Sequence, residues 1–575
     1  MKRLFSVLLW CLVLVFAGHA QNVDALRVDK YGGLFKIGPG TGYFRTAKLG
    51  NRWFLVTPEG NAFFMIGLYG TGMLNATTDD LGGTHQQRVI KKYGDADITF
   101  CPQANRRLLS WNFNALEIAS CHWSFPGETY PSWPHGEQPV KIPFVGIVSP
   151  SVYTSFNLNH WAPGPTKDLY HGLPKSYDGW RGGSFPDVFD PNFDLWLDGA
   201  MRNDPYIKSI LNPKSLPWLI GITCDDTDNL YGYGPGPNTP GIEDKVAPHL
   251  GWVSLVTNYE QTANRGVREP QVYGDRKVYT KYALRDWLRQ KYGEITALNA
   301  AWGANYSTWD GAGGWGQGSG FLDEDGSHLW VGRDYEKLSS ASPRVRADLD
   351  EWLYHVATKH LSVCRTRIKQ HAPHTLFMGP TVMNTWYGVT RPQLLRAYGE
   401  QADLVSISWR DNQHYLDVTA AAVGDKPLIT WNGVPANHDS ALWRKKDFHK
   451  NDPQTQEERG RLYQYWIMRQ FTATVSATGV HPFVGFRWWC MVDSVLEGNW
   501  GLTSLFDNAY DGKEARVARG KDPWGYPTGG EEKDYGNFVG PVTAANRAVQ
   551  IGLRNAAAAA DPPKKSVAKT LEQAP

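Results

Sequence analysis

The sequence predicts an α/β fold: one (β/α)8 TIM barrel with a short N-terminal β-rich segment and long βα-loops. Three observations carry this expectation. From about residue 62 to 510, short β-rich apolar runs alternate with amphipathic helical stretches. The runs are near-continuously apolar, the pattern of parallel strands covered by helices on both faces. No G-x-G-x-x-G follows the first strand and no P-loop occurs, so the open doubly wound alternative lacks its usual phosphate-binding turn. Several such units in about 450 residues favour a barrel with long loops at the strand ends.

The chain opens with Lys2 and Arg3, the apolar run Leu4 to Phe16, and Ala17-Gly18-His19-Ala20. This reads as a secretory signal over residues 1–20. The alternative, a membrane anchor, fails on length: about 13 apolar residues cannot cross a bilayer that needs roughly 20. The expected location is therefore secreted or periplasmic, with no membrane partner after cleavage. Residues 21–61 read as a β-rich cap, in which Trp53-Phe54-Leu55-Val56 runs into Thr57-Pro58-Glu59-Gly60 as strand and turn.

The barrel is expected over residues 62–555. Ala62 to Leu68 reads as a buried strand ending in Gly67-Leu68-Tyr69-Gly70. Further strands are expected at 115–119, 218–223, 375–378, 404–407, 427–430 and 483–486. The clearest helices are expected at 281–292, 295–302, 344–370 and 454–476. Residues 556–575, rich in Ala, Lys and Pro, read as a disordered tail.

The balance of 59 basic and 57 acidic residues, a net charge of +2, offers no field for nucleic acid or an anionic membrane. Without the signal, Cys101, Cys121, Cys224, Cys364 and Cys490 remain, with no C-x-x-C pair. They form neither a disulfide framework nor a zinc site, although one incidental bridge is compatible with them. No cofactor or metal is implied. The 25 Trp, 27 Tyr and 23 Phe supply rings that can fill a core or stack on the apolar faces of sugars.

In a parallel barrel, chemistry gathers where strands end. After the strand near 218–223, Asp225, Asp226 and Asp228 crowd together. Like charges so close raise one another's pKa, as a general acid requires. Capping aspartates, or a calcium site, account equally well for the same residues. The segment 404–415 brings Trp409, Arg410, Asp411 and His414, and 426–439 brings Trp431. The segment 483–497 brings Trp488, Trp489, Asp493 and Glu497. For any one of these, core packing is the plainer reading. Their joint placement at successive strand ends is what points to a carbohydrate-binding mouth.

At this point a family likeness becomes visible. Arg52-Trp53-Phe54-Leu55-Val56-Thr57-Pro58-Glu59-Gly60 is similar to a "W-x-V-D-P-x-G" opening, and Ser110-Trp111-Asn112-Phe113-Asn114-Ala115-Leu116 to a "W-G-F-N-T-L" strand. Phe185-Pro186-Asp187-Val188-Phe189-Asp190-Pro191 is similar to "P-D-V-F-D-P". Lys291-Tyr292, Leu298-Asn299-Ala300-Ala301-Trp302-Gly303 and Trp309-Asp310 are similar to "K-Y-x-x-I-x-x-L-N-x-x-W" and the "S-W-D" that follows. In this order the fragments resemble the β-agarases of glycoside hydrolase family 50, retaining glycosidases built on (β/α)8 barrels. The resemblance runs from about residue 30 to 515. It implies an exported glycoside hydrolase acting on a galactan-type polysaccharide or oligosaccharide such as agar, porphyran or carrageenan.

The likeness fails where it matters most for chemistry. The family's acid/base Glu falls on Thr227, whose hydroxyl is far too weak an acid. Its nucleophile falls on Asn432, whose amide cannot form a glycosyl ester. Hydrolysis would then need a relocated pair, with Asp226 or Asp228 as acid and Asp225, Asp411, Asp439, Asp493 or Glu117 as base. The alternative is a catalytically inactive carbohydrate-binding barrel. A lyase is a third reading.

Overall fold

A computed structural model describes residues 26–71, 83–94, 99–118, 120, 141–148, 185–225, 231, 252–257, 278–311, 319–323, 343–381, 392–409, 411–432, 453–493, 499–513, 520–521, 527–528 and 536–560. The chain first builds a three-stranded antiparallel sheet from β1 (Arg45–Leu49), β2 (Arg52–Val56) and β3 (Ala62–Phe63). Leu49 pairs with Arg52, so Gly50 and Asn51 form a two-residue hairpin loop in which Gly50 takes φ 57°. Such loops need positive φ to match the strand twist, and glycine adopts it without strain. The apolar run expected as one strand is in fact two. Ala62–Phe63 joins the antiparallel sheet, whereas β4 (Met65–Leu68) opens the barrel. The Asn114 side chain holds the break, accepting from Ile66 N–H at 2.7 Å and donating to the Phe64 carbonyl at 2.9 Å.

The other barrel strands are β5 (Ala115–Leu116), β6 (Phe144–Val148), β7 (Leu219–Cys224), β8 (Leu376–Phe377), β9 (Val405–Ile407), β10 (Leu428–Asn432) and β11 (Phe483–Trp488). All eight lie in one parallel sheet, ordered β8-β7-β6-β5-β4-β11-β10-β9. First and last strands pair directly, with Met65 opposite Gly485 and Leu68 opposite Trp488, which curls the sheet round. Among the described residues no ladder joins β8 to β9. There the Asp403 N–H donates to the Phe377 carbonyl at 2.8 Å, and its carboxylate accepts the Phe377 N–H at 2.9 Å. Arg365 and Lys369 hold that carboxylate at 2.9 and 2.7 Å.

The described helices are α1 (His85–Tyr93), α2 (Cys101–Ser110), α3 (Pro191–Asn203), α4 (Pro205–Ile210), α5 (Trp252–Thr257), α6 (Tyr279–Tyr292), α7 (Ile295–Trp302), α8 (Pro343–His371), α9 (Pro392–Gln401), α10 (Gln413–Val423), α11 (Gln456–Thr472) and α12 (Val539–Ala560). Local chemistry sets their starts. Asp190 and Asp204 cap helices that carry Pro in the first turn, and Thr84 with Gln87 forms a capping box. The last helix runs to Ala560, past the expected boundary at 555, because its closing Ala run has the highest helix propensity of any residue type. Residues 561–575 lie outside the described residues, as does the expected signal. Among the described residues, no helix is long and apolar enough to cross a membrane.

The matched motifs prove to be structural. Asp187 is fully buried, and one of its oxygens accepts both the N–H and the hydroxyl of Thr280, at 3.0 and 2.7 Å, in the first turn of α6. Burial, against those donors, pushes its pKa up to about 7. Lys291, Tyr292 and Trp302 all converge on buried Asp348; Lys291 lies at 2.8 Å and the Trp302 Nε1–H at 2.7 Å. They pin α6 and α7 to α8. Arg52 donates to the Phe471 carbonyl at 2.9 Å and lies over the Phe471 ring, tying the antiparallel sheet to the end of α11.

Candidate active site

The carboxyl ends of the barrel strands define one mouth, and three rings meet there. Tyr69 follows β4, Trp431 lies on β10 and Trp489 follows β11. The Tyr69 and Trp489 ring centroids are 4.0 Å apart; Trp431 stands edge-on to Trp489 at 5.4 Å. Trp489 is buried, whereas Tyr69 and Trp431 are each partly open. The Tyr69 backbone is fixed from both sides, its N–H donating to the Trp488 carbonyl and its carbonyl accepting from Met491 N–H. The Trp489–Cys490 peptide is cis. Partly open aromatic faces on a fixed backbone are what a sugar ring can stack on.

Beneath the rings lies a buried polar brace. Arg487, on β11, donates to the Thr381 carbonyl after β8 and to the Ser406 hydroxyl on β9, and its guanidinium lies 3.4 Å from Glu117 after β5. Arginine and glutamate are both fully buried. Burial pushes Glu117 upward more than Arg487 draws it down, and burial likewise lowers Arg487. One Glu117 oxygen pairs with Arg487; the other, Oε1, is buried without a hydrogen bond among the described residues. A Cβ on Gly67 would stand 3.1 Å from Glu117 Cγ, so the glycine makes room for this carboxylate. The signal for the brace was present in the sequence as an arginine inside the apolar run Phe483-Val484-Gly485-Phe486-Arg487-Trp488.

Asp225 lies elsewhere than expected. Strand alternation would send it to the side opposite Cys224, but its φ of 61° turns the side chain toward α8. There its carboxylate meets His360 Nε2 at 3.2 Å, behind the barrel wall. The other imidazole nitrogen shares a 2.7 Å hydrogen bond with the Tyr231 hydroxyl. Burial works against the imidazolium, but Cys364 and Asp225 raise His360 to about 10. The Asp225 backbone is also fixed, its N–H donating to the Val148 carbonyl and its carbonyl accepting from Thr381 N–H and hydroxyl. Asp225 thus anchors a strand end; it does not crowd the mouth.

The remaining expected residues divide. Trp431 and Trp489 meet at the mouth. Trp488 does not pair with its neighbour: alternation turns it outward, against Tyr463 at 4.9 Å and Phe538 at 5.8 Å. Trp409 is buried, its Nε1–H donating to the Asn412 carbonyl and its ring 5.1 Å from Phe483, which begins β11 at the far end of the barrel. Asp411 and His414 are exposed, Asp411 accepting from the Tyr465 hydroxyl at 3.4 Å. Asp493 is buried in the loop after β11, where it accepts from Gly501 N–H, Asn499 and Tyr510. Asn432 closes β10 opposite Trp488. Its side chain, with Asp226, Thr227, Asp228, Arg410, Asp439 and Glu497, lies outside the described residues. Tyr69 and Arg487 are the site residues that sequence reasoning missed. Among the described residues, no group of three or more His, Cys, Asp or Glu side chains could hold a metal ion.

No family model matches the chain. It is 22% identical to β-agarase B of Vibrio sp. (strain JT0107) over 534 residues, covering 84% of this chain. The chain spans about half the length of that curated relative, 48%. Among solved structures it is similar to an exo-β-agarase at TM-score 0.58 and 19% identity, over 94% of this chain and 71% of that one. It is likewise similar to the agarase AgWH50C at TM-score 0.59 and 18% identity, over 94% and 72%. Likeness at this level is likeness of fold. It agrees with the matched sequence fragments: the chain resembles the family 50 β-agarases and shares their α/β barrel.

Proposed function

We propose that this chain is an exported glycoside hydrolase that acts on galactan-type polysaccharides or oligosaccharides. The observation that carries the reading is the aromatic mouth: Tyr69 and Trp431 stand partly open around Trp489, at the strand ends of a barrel shared with proteins named as agarases. With Asp225 held against His360, the acid role falls to Asp226 or Asp228, which would protonate the leaving glycosidic oxygen. Of the described candidate bases, Asp411 is exposed and Asp493 is enclosed by three donors. Glu117 lies inside the barrel with an oxygen to spare. A carboxylate drawing a proton from water across the mouth gives inversion if the pair stand roughly 6.5–9.5 Å apart, and retention needs about 5–5.5 Å. Because Asn432 cannot serve as nucleophile, inversion is the expected outcome.

Incubating purified protein with agarose, porphyran and carrageenan, and measuring reducing ends beside retardation in gels of each glycan, tests this. Release of reducing ends that Asp226→Asn and Asp228→Asn together lower by about 10²–10⁴-fold supports the reading. Undiminished release removes the acid assignment. Retardation without release favours the second reading, a binding barrel, which the Thr and Asn at the two family carboxylate positions support.

A further inference from the structure

Behind the barrel wall lies a thiol pair that hydrolysis does not use. Cys224 ends β7 and Cys364 lies on α8; both are free and fully buried. Each lies near enough to perturb the other's titration. Cys364 stands one helical turn after His360, so the two share a helix face. That face meets β7, because His360 pairs with Asp225, the neighbour of Cys224. The neighbouring thiols therefore flank the wall beside the imidazole–carboxylate contact.

Their chemistry is asymmetric. Burial opposes a thiolate at Cys364, yet the neighbouring Cys224 and the His360 charge together draw its pKa below the ordinary thiol value. Burial and Cys364 push Cys224 well above its ordinary value. A thiolate beside a thiol is the arrangement from which thiol–disulfide exchange proceeds. Cys101 of the same chain is already disulfide-bonded. Cys490 donates its S–H to the Val492 carbonyl instead.

We propose that Cys224 and Cys364 close to a disulfide under oxidising conditions, joining the carboxyl end of β7 to α8. The Cys364 thiolate attacks one sulfur of a small-molecule disulfide, whose S–S bond breaks to release a thiolate that takes a proton from the His360 imidazolium. Cys224 then displaces the second half of the reagent, and its own proton passes to that leaving thiolate. Two protein thiols are oxidised and one disulfide is reduced to two thiols.

Because both sulfurs are buried, the test lets the bond form during folding. The full chain is refolded in oxidised and reduced glutathione, quenched in acid, denatured, alkylated with iodoacetamide and digested with trypsin without reduction. The expected species joins peptides 215–245 and 360–365, carries no alkyl group on either cysteine, is two hydrogens lighter than its parts, and separates on dithiothreitol. The linked form also melts a few degrees higher, because a long loop is closed in the unfolded chain. Recovery of both peptides singly alkylated, or each carrying glutathione alone, overturns the proposal. Cys224→Ser is expected to return Cys364 alkylated; if that variant fails to fold, the map of the unaltered chain still decides.

Discussion

At Trp431 the ring stands partly open beside the closely packed pair of Tyr69 and Trp489, so truncating it widens the mouth without sealing an empty cavity into the core. Trp431→Ala is expected to raise KM for a galactan oligosaccharide by roughly tenfold, to change kcat less, and to leave Tm within a few degrees. Initial rates across substrate concentrations, beside a thermal melt, check this. Trp488→Ala, facing the helices, should do the reverse: a loss of about 3–5 kcal/mol of stability measured in urea, whatever the substrate. Asp187 makes a pH prediction. Its folded pKa, near 7, lies above the roughly 3.9 of an unfolded Asp. Its contribution to stability is therefore full below about pH 4 and is lost as pH rises toward 7, a change on the order of 3–5 kcal/mol. Asp187→Asn should flatten that slope in urea midpoints measured at pH 5 and pH 8. How residues act was only partly legible in the sequence. The adjacent Trp488 and Trp489 read alike as strand-end rings because nothing local says where β11 stops alternating. Asp187 stood out within a motif, but its partner Thr280 is distant in sequence and only the fold joins them.

Among the elements, the seam between β8 and β9 is the place where one side chain replaces a ladder. Asp403 is held below its ordinary pKa because Lys369, the Phe377 N–H and Arg365 together outweigh its burial. A depressed folded pKa means that its stabilisation is present at neutral pH and is lost as pH falls through that value. Asp403→Ala should cost about 1–3 kcal/mol at pH 7 by leaving the Phe377 N–H without its acceptor. The deficit should shrink in strong acid, as urea midpoints at pH 7 and pH 2.5 would show. Element positions were well foreshadowed. The long helices begin and end within a few residues of the expected spans, since a 3.6-residue apolar repeat sustained over many turns has no competing reading. Strands were less so: β5 and β8 keep only two residues each, since ladder length depends on neighbours far along the chain. α12 was not foreseen as a separate helix. Its polar buried face, where Asn546 accepts from the Tyr463 hydroxyl at 2.6 Å and donates to the Trp111 carbonyl at 3.0 Å, breaks the apolar repeat that would have announced it.

For the whole molecule, near-balanced charge and a mouth lined by rings give the same expectation: neutral glycans should bind with little regard to salt. Raising NaCl from 50 to 500 mM should change the dissociation constant for an agarose oligosaccharide less than about twofold, since no attraction between opposite charges is there to be screened. Calorimetric titration at both concentrations checks it, and a steep salt dependence would overturn it. The sequence carried the barrel because seven of its eight buried strands and their covering helices repeat one pattern; β6 alone was not among the expected strands. It carried the mouth only in part. Aromatic abundance is divided between core and surface, with Trp196, Trp252, Trp352 and Trp488 all fully buried, and composition cannot assign that division.

The pairing of β4 with β11 also has a consequence in time. Met65 meets Gly485, so the first barrel strand leaves the ribosome long before its neighbour exists. At about 5–20 residues per second, that edge waits on the order of half a minute or more. During synthesis the nascent sheet presents Met65-Ile66-Gly67-Leu68 as an unpaired apolar border. Its protection in that interval falls to whatever holds the emerging chain, and aggregation during expression should respond to chaperone supply more than to temperature-dependent stability.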